Sequence, residues 1–228
     1  MTRVKIICEG RTEGDFVKKI IAPHLLGFGV NASSPILGEP GRKGGDVRNK
    51  RVIDDIVTHL ETDRNAFCTT FFDFYGMKTD VPGRSEAAKK SDHKEKKQIV
   101  EDAIFKTIKE KVGDTTIRRF KTYIQMYEFE GLLFSNIKKM SSRLSDGDSI
   151  IEQKIQSTFE ETLKTRSPEE INDSSETAPS KRIKKMVSNY AKITSGIPLA
   201  EDIGLKEIRE KCLLFDEWIK WLESLSQK

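Results

Sequence analysis

The residues best suited to chemistry in this chain are carboxylates that stand just past apolar, β-rich runs. Val4-Lys5-Ile6-Ile7-Cys8 leads straight into Glu9-Gly10-Arg11-Thr12-Glu13, and Phe67-Cys68-Thr69-Thr70-Phe71-Phe72 into Asp73. The alternating stretch Phe120 to Tyr127 leads into Glu128 and Glu130. The first charged residue after a buried strand lies at the edge of the sheet, and in open α/β sheets the carboxyl edge is where ligands bind. Carboxylates gathered along that edge repel one another, and a divalent cation removes the repulsion. An all-oxygen donor set selects Mg²⁺ or Mn²⁺ over zinc. One or two such ions activate a water and stabilise charge on a phosphodiester oxygen, which is chemistry suited to nucleic acid. Glu9 alone reads equally well as a solvated loop acid; its counterparts at Asp73 and Glu128/Glu130 favour a distributed site.

Positioning these acids requires parallel strands with crossover helices. Gly10 lets the chain turn after the first strand, Thr12-Glu13-Gly14-Asp15 resembles a capping box, and a helix is expected from Asp15 to about Leu26, kinked or ended by Pro23. The Gly/Pro-rich segment from Gly38 to Gly45 reads as a loop. A second helix from Val47 to Leu60 follows, with Val52, Ile53, Ile56, Val57 and Leu60 as its apolar face. Gly76 to Ser91 reads as a loop, Lys94 to Val112 as a helix stopped by Gly113, and Phe120 to Tyr127 as a third core strand. Beyond it the pattern is helical, with the stripes Ile151, Ile155, Phe159, Leu163 and Phe215, Trp218, Ile219, Leu222, broken by the polar stretch Pro168 to Pro179. The expected fold class is therefore α/β: a mostly parallel, Rossmann-like sheet flanked by helices over residues 1–140, followed by a helical extension over 141–228.

With 228 residues the chain can bury a real core. Its 40 Lys plus Arg against 36 Asp plus Glu leave a net charge of +4, so partners must be read from local clusters. Arg48, Lys50 and Arg51 near a helix start, and Lys181-Arg182 after Pro179-Ser180, are candidate phosphate contacts, with Ser180 as a cap. Solvated helix faces or a salt bridge to the acidic edge would explain the same residues. Three dispersed cysteines without a CxxC pair argue against a zinc site or a disulfide framework and fit a reducing cytoplasm. The N-terminus enters a strand directly, and no apolar run reaches the length of a bilayer. Gly41-Arg42-Lys43-Gly44-Gly45 lacks the Gly-Lys-Ser/Thr ending of the ATPase phosphate loop, so ATP dependence would come from a partner. No Ser/His/Asp or Cys/His nucleophile system is evident.

The segment Glu9-Gly10-x-Thr12-Glu13 resembles the N-terminal glutamate motif of Toprim domains, the module of topoisomerases, primases and overcoming-lysogenization-defect (OLD) nucleases. More narrowly, the chain resembles the Toprim-like bacterial family catalogued as domain of unknown function 4276. That resemblance rests also on Asp73-Phe74-Tyr75-Gly76, on Tyr127 to Ser135, on Pro179-Ser180-Lys181-Arg182-Ile183 and on the closing stretch Ile203 to Cys212. It implies that Glu9 is the general acid/base and helps to hold a metal, and that Asp73 stands at the first position of the Toprim Asp-x-Asp pair. Tyr75 occupies the second position; Glu130, then Glu128, are the candidates to complete the ligand set, with Asp80 more easily read as a loop acid. The implied function is a Mg²⁺- or Mn²⁺-dependent nuclease or nicking enzyme acting on nucleic acid, DNA before RNA, paired with an ATPase in anti-phage defence. The alternative is a non-catalytic sensor or regulatory subunit that binds nucleic acid or the ATPase. No membrane partner is expected, and a homo-oligomer is compatible with either reading.

Overall fold

A computed structural model describes residues 1–38, 47–172 and 176–227. Chain contacts divide it into two compact units: residues 1–125 with 218–228, and residues 126–217. The returning segment makes the first unit discontinuous in sequence, and the division falls at 125/126, where the sequence reading set a boundary near 140.

The first unit is built on a parallel sheet. Strands β1 (Thr2–Cys8), β2 (Val30–Ser33), β3 (Ala66–Asp73) and β4 (Phe120–Lys121) lie in the order β2-β1-β3-β4, and β5 (Ile124–Gln125) also pairs with β3. All these pairings are parallel, as the strand–helix alternation predicts. The expected third core strand over Phe120 to Tyr127 is instead two short pieces. Between them the Thr70 hydroxyl donates to Tyr123 O at 2.8 Å and accepts from Tyr123 N at 2.9 Å, so a side chain takes the place of a ladder rung.

The helices of this unit are α1 (Arg11–Phe16), α2 (Ala22–Leu26), α3 (Asn49–Thr62), α4 (Arg84–Ala87) and α5 (His93–Ile117). The first helix starts at Arg11, not Asp15. Gly10 is its N-cap, and Glu13 accepts the Gly10 N–H at 2.9 Å, while Asp15 pairs with Arg11 along the helix. Pro23 neither ends nor breaks it: a π-helical turn, Val17–Ile21, leads into Ala22 and absorbs the missing donor. The expected stop at Gly113 is a kink at φ +77°, with helix continuing to Ile117. The segment Gly76 to Ser91, read as a loop, contains α4. Most of the Gly38 to Gly45 loop lies outside the described residues.

The strand that carries Asp73 is anchored by aromatic packing. Tyr123 stacks on Trp218 with ring centroids 4.3 Å apart, and Phe71 contacts Phe16, Tyr123 and Trp218. Trp218 Nε1 donates to Thr69 Oγ1 at 3.1 Å, and Tyr123 Oη to Gln125 Oε1 at 2.8 Å, so the buried polar tips are satisfied. Cys8 and Cys68 are buried free thiols, as their β-rich surroundings suggest; burial pushes Cys68 up to about 12.

The second unit is helical: a 3₁₀ segment Phe129–Ser135, then α6 (Ile137–Leu144), α7 (Ser149–Leu163), α8 (Pro179–Met186), α9 (Ile197–Ile203) and α10 (Leu205–Lys211), with α11 (Leu213–Glu223) leading the chain back to the first unit. Phe129, Leu133, Phe134, Phe159, Ile183 and Ile208 are buried, and Phe134 and Phe159 meet at 4.9 Å. No helix among the described residues is long and apolar enough to cross a membrane.

Candidate active site

Parallel pairing of β1 with β3, in a register that sets Cys8 opposite Phe71, carries Glu9 and Asp73 to the same edge of the sheet. The chain continues the pairing for one step beyond β1, with Glu9 N donating to Phe71 O at 3.3 Å. Glu9 Oε2 then accepts the Asp73 N–H at 3.2 Å, which fixes the glutamate across the end of the neighbouring strand. Asp73 is 5% exposed and opens a tight turn in which Gly76 N donates to Asp73 O at 3.0 Å. That turn is the floor under Glu9. A Cβ added to Gly76 would lie 2.2 Å and 2.3 Å from the two Glu9 carboxylate oxygens, so any larger residue there displaces the carboxylate. Asp73-Phe74-Tyr75-Gly76 thus supplies an acid and a backbone seat for a second acid.

Mg²⁺ is commonly held through one or two protein carboxylates, with water and substrate phosphate oxygens completing the octahedron. The Gly76 seat holds Glu9 next to Asp73, and both residues offer carboxylate oxygens, the hard donors such a cation takes. The donor set of Glu9 and Asp73 therefore fits a hard divalent cation. Within either unit, no three His, Cys, Asp or Glu side chains gather into a larger cation site among the described residues.

The acids of the second unit have partners within it. Tyr127 adopts a left-handed backbone conformation, φ +63°, which costs a non-glycine residue about 1–2 kcal/mol and turns the chain sharply ahead of Glu128. Glu128 accepts from Ser180 N at 2.9 Å and from Ser180 Oγ at 3.0 Å. Ser180 is thus not the cap of α8, as the sequence suggests. It lies inside the helix behind Pro179, and Glu128 satisfies the helix's open N–H from 52 residues away. Glu169 does the same for α11, accepting from Leu214 N and Phe215 N at 2.9 and 3.0 Å.

Glu130 is fully buried, and its Oε2 lies 2.8 Å from Lys192 Nζ, while Oε1 has no hydrogen-bond partner among the described residues. Burial raises its pKa, with Lys192 acting in the opposite direction. Tyr190, whose hydroxyl is also buried without a hydrogen-bond partner among the described residues, is pushed up by burial first and by Glu130 second. Neither Lys192 nor Tyr190 stands out in the sequence, since each is separated from Glu130 by sixty residues or so of helical pattern.

The basic candidates are dispersed in role. Lys50 pairs with Asp54 at 3.4 Å, and Arg51 Nη2 donates to Leu37 O at 2.9 Å, which ties α3 to the segment after β2. Arg48 is the exposed N-cap residue of α3. Arg182 Nε donates to Thr177 O at 2.7 Å, and Lys181 is exposed on α8. The sequence reading overlooked Arg84, whose Nε donates to Phe74 O within the Asp73 turn; its one sequence signal is its place just after Pro82-Gly83.

No curated protein and no solved structure matches the chain. The family described as Domain of unknown function (DUF4276) matches residues 8–223, nearly the whole length, and the chain belongs to that family.

Proposed function

We propose that this protein is a Toprim-like nuclease or nicking enzyme that uses Mg²⁺ or Mn²⁺ to cut nucleic-acid phosphodiesters. In this reading it is the effector of a two-component anti-phage system whose other member is an ATPase. The observation that carries the reading is the seating of Glu9 on the Asp73–Gly76 turn, at the carboxyl edge of two adjacent parallel strands. Support also comes from the resemblance of Glu9-Gly10-x-Thr12-Glu13 to the Toprim glutamate motif and of Asp73 to the first Toprim aspartate.

In the proposed mechanism Glu9 and Asp73 hold the cation, which when bound would lower the pKa of a water and stabilise charge on a phosphodiester oxygen. Glu9 has the further role of moving a proton, as general acid/base. Its hydrogen bond from the Asp73 N–H and its contact with the Gly76 backbone hold the carboxylate in one orientation. Asp73 is nearly withdrawn from water, which strengthens its interaction with any cation it meets. Glu128 accepts from Ser180 and Glu130 lies against Lys192, and this reading gives neither a reacting role. Lys181 and Arg48, both exposed, are the proposed contacts to the nucleic-acid backbone.

Purified protein incubated with supercoiled plasmid, linear duplex and structured RNA, with and without a candidate partner ATPase, tests this reading. Products that require Mg²⁺ or Mn²⁺ are expected, from DNA in preference to RNA; intact substrates under every condition, ATPase included, contradict it.

A second reading is favoured by Tyr75, which stands where Toprim enzymes place their second aspartate. A tyrosine hydroxyl is a poor Mg²⁺ ligand, and a non-catalytic subunit that binds nucleic acid or the ATPase needs none. Calorimetric titration with Mn²⁺ separates the two: the nuclease reading predicts binding tighter than millimolar that Asp73→Asn abolishes, the regulatory reading predicts none.

A further inference from the structure

Arg84, the first residue of α4, is bonded to the turn that carries Asp73 and seats Glu9, and it has no acidic counter-ion among the described residues. Its position is built. Arg84 N donates to Val81 O at 3.0 Å, and Gly83, at φ +77°, presses against α5 so closely that a Cβ would lie 2.7 Å from Ile99 O and 3.0 Å from Val100 Cα. From there the side chain reaches back: Nε donates to Phe74 O at 3.1 Å, and Cζ lies 4.0 Å from the centre of the Phe74 ring. These contacts occupy Nε and one face of the guanidinium. They leave the terminal nitrogens unmatched by any carboxylate among the described residues, on a group that is partly buried and whose pKa is lowered by that burial.

Structural arginines usually spend this geometry on an acid. Here no ion pair of Arg84 with an acid is found among the described residues, and the one titratable group that acts on it is Tyr75. A guanidinium held by its Nε and its face, with two parallel donors to spare, is a preorganised fork for an oxyanion with two equivalent oxygens. We propose that Arg84 is a substrate-binding residue that donates from Nη1 and Nη2 to the two non-bridging oxygens of a phosphodiester at the Glu9–Asp73 site. The identity of the anion rests on the nuclease reading; the fork itself rests on the contacts of Arg84.

The test is fluorescence anisotropy of labelled duplex DNA and labelled single-stranded RNA in EDTA, which blocks cleavage, over a series of salt concentrations. Arg84→Gln is expected to weaken binding about tenfold and to reduce the slope of log affinity against log salt by about 1. Arg84→Lys restores the slope, because the charge returns, but only part of the affinity, because the fork does not. The Lys variant keeps a cation over Phe74 and decides the matter alone if the Gln variant fails to fold. Wild-type affinity and slope in both variants would overturn the proposal, as would a wild-type protein that binds neither nucleic acid. Metal-dependent cleavage by wild type and Arg84→Gln at equal rates removes Arg84 and leaves the nuclease standing. Arg84-dependent binding without cleavage removes the nuclease and leaves the fork.

Discussion

At the scale of single residues, Gly76 limits where the Glu9 carboxylate can lie. Replacing it with alanine puts a methyl group about one bond length too close to the Glu9 carboxylate. The expected cost is about 1–3 kcal/mol of stability, as for other overpacked positions, together with loss of cleavage. Urea unfolding of Gly76→Ala, Glu9→Ala and the double variant checks this. The double variant should recover much of the loss, and strict additivity would mean that the two residues do not meet. Glu130 makes a prediction about pH. Burial raises its pKa above that of the unfolded chain, so the folded state keeps the proton longer. Its stabilising share is present below the ordinary glutamate range and is lost as pH rises through its own raised value. Wild-type stability relative to Glu130→Gln should therefore fall across that interval in denaturant titrations at a series of pH values; a constant difference contradicts the assignment. Glu9 and Asp73 were legible from sequence because each is the first acid after a buried strand. Gly76 was visible only as part of a motif, since closeness to a side chain 67 residues away leaves no local mark.

At the scale of elements, the parallel sheet follows from its sequence wherever strands are long and apolar, as in β1 and β3. It is hidden where side chains replace backbone. The Thr70 hydroxyl interrupts what reads as one strand from Phe120 to Tyr127, and β2, Val-Asn-Ala-Ser, is too short and polar to announce itself. In the second unit two helix starts are capped from afar, by Glu128 for α8 and Glu169 for α11, so Glu128, an acid singled out in the sequence, serves a backbone N–H group in the fold. Gly83, ahead of α4, and Gly113, inside α5, both have positive φ and should respond differently to alanine. At Gly113 a Cβ meets nothing, so only the backbone penalty of about 1 kcal/mol applies. At Gly83 the Cβ also strikes the backbone of α5, and the loss should be clearly larger and should displace Arg84. Thermal or urea unfolding of the two variants measures the difference; equal losses would mean that the contact between Gly83 and α5 is not tight.

At the scale of the whole chain, the family match spans residues 8–223 and so covers both compact units. The net charge of +4 is too small to drive binding to nucleic acid without a local site, which puts the weight on individual cations such as Arg84 and Lys181. The central claim is that Glu9 and Asp73 form one metal-dependent site, and the nicking of supercoiled plasmid by wild type, Glu9→Gln and Asp73→Asn in Mn²⁺ tests it most directly. Each substitution removes a charge without changing shape, and each is expected to lower the rate by at least about a hundredfold, in line with loss of a general acid/base or a metal ligand. Nicking that survives both substitutions would contradict the account.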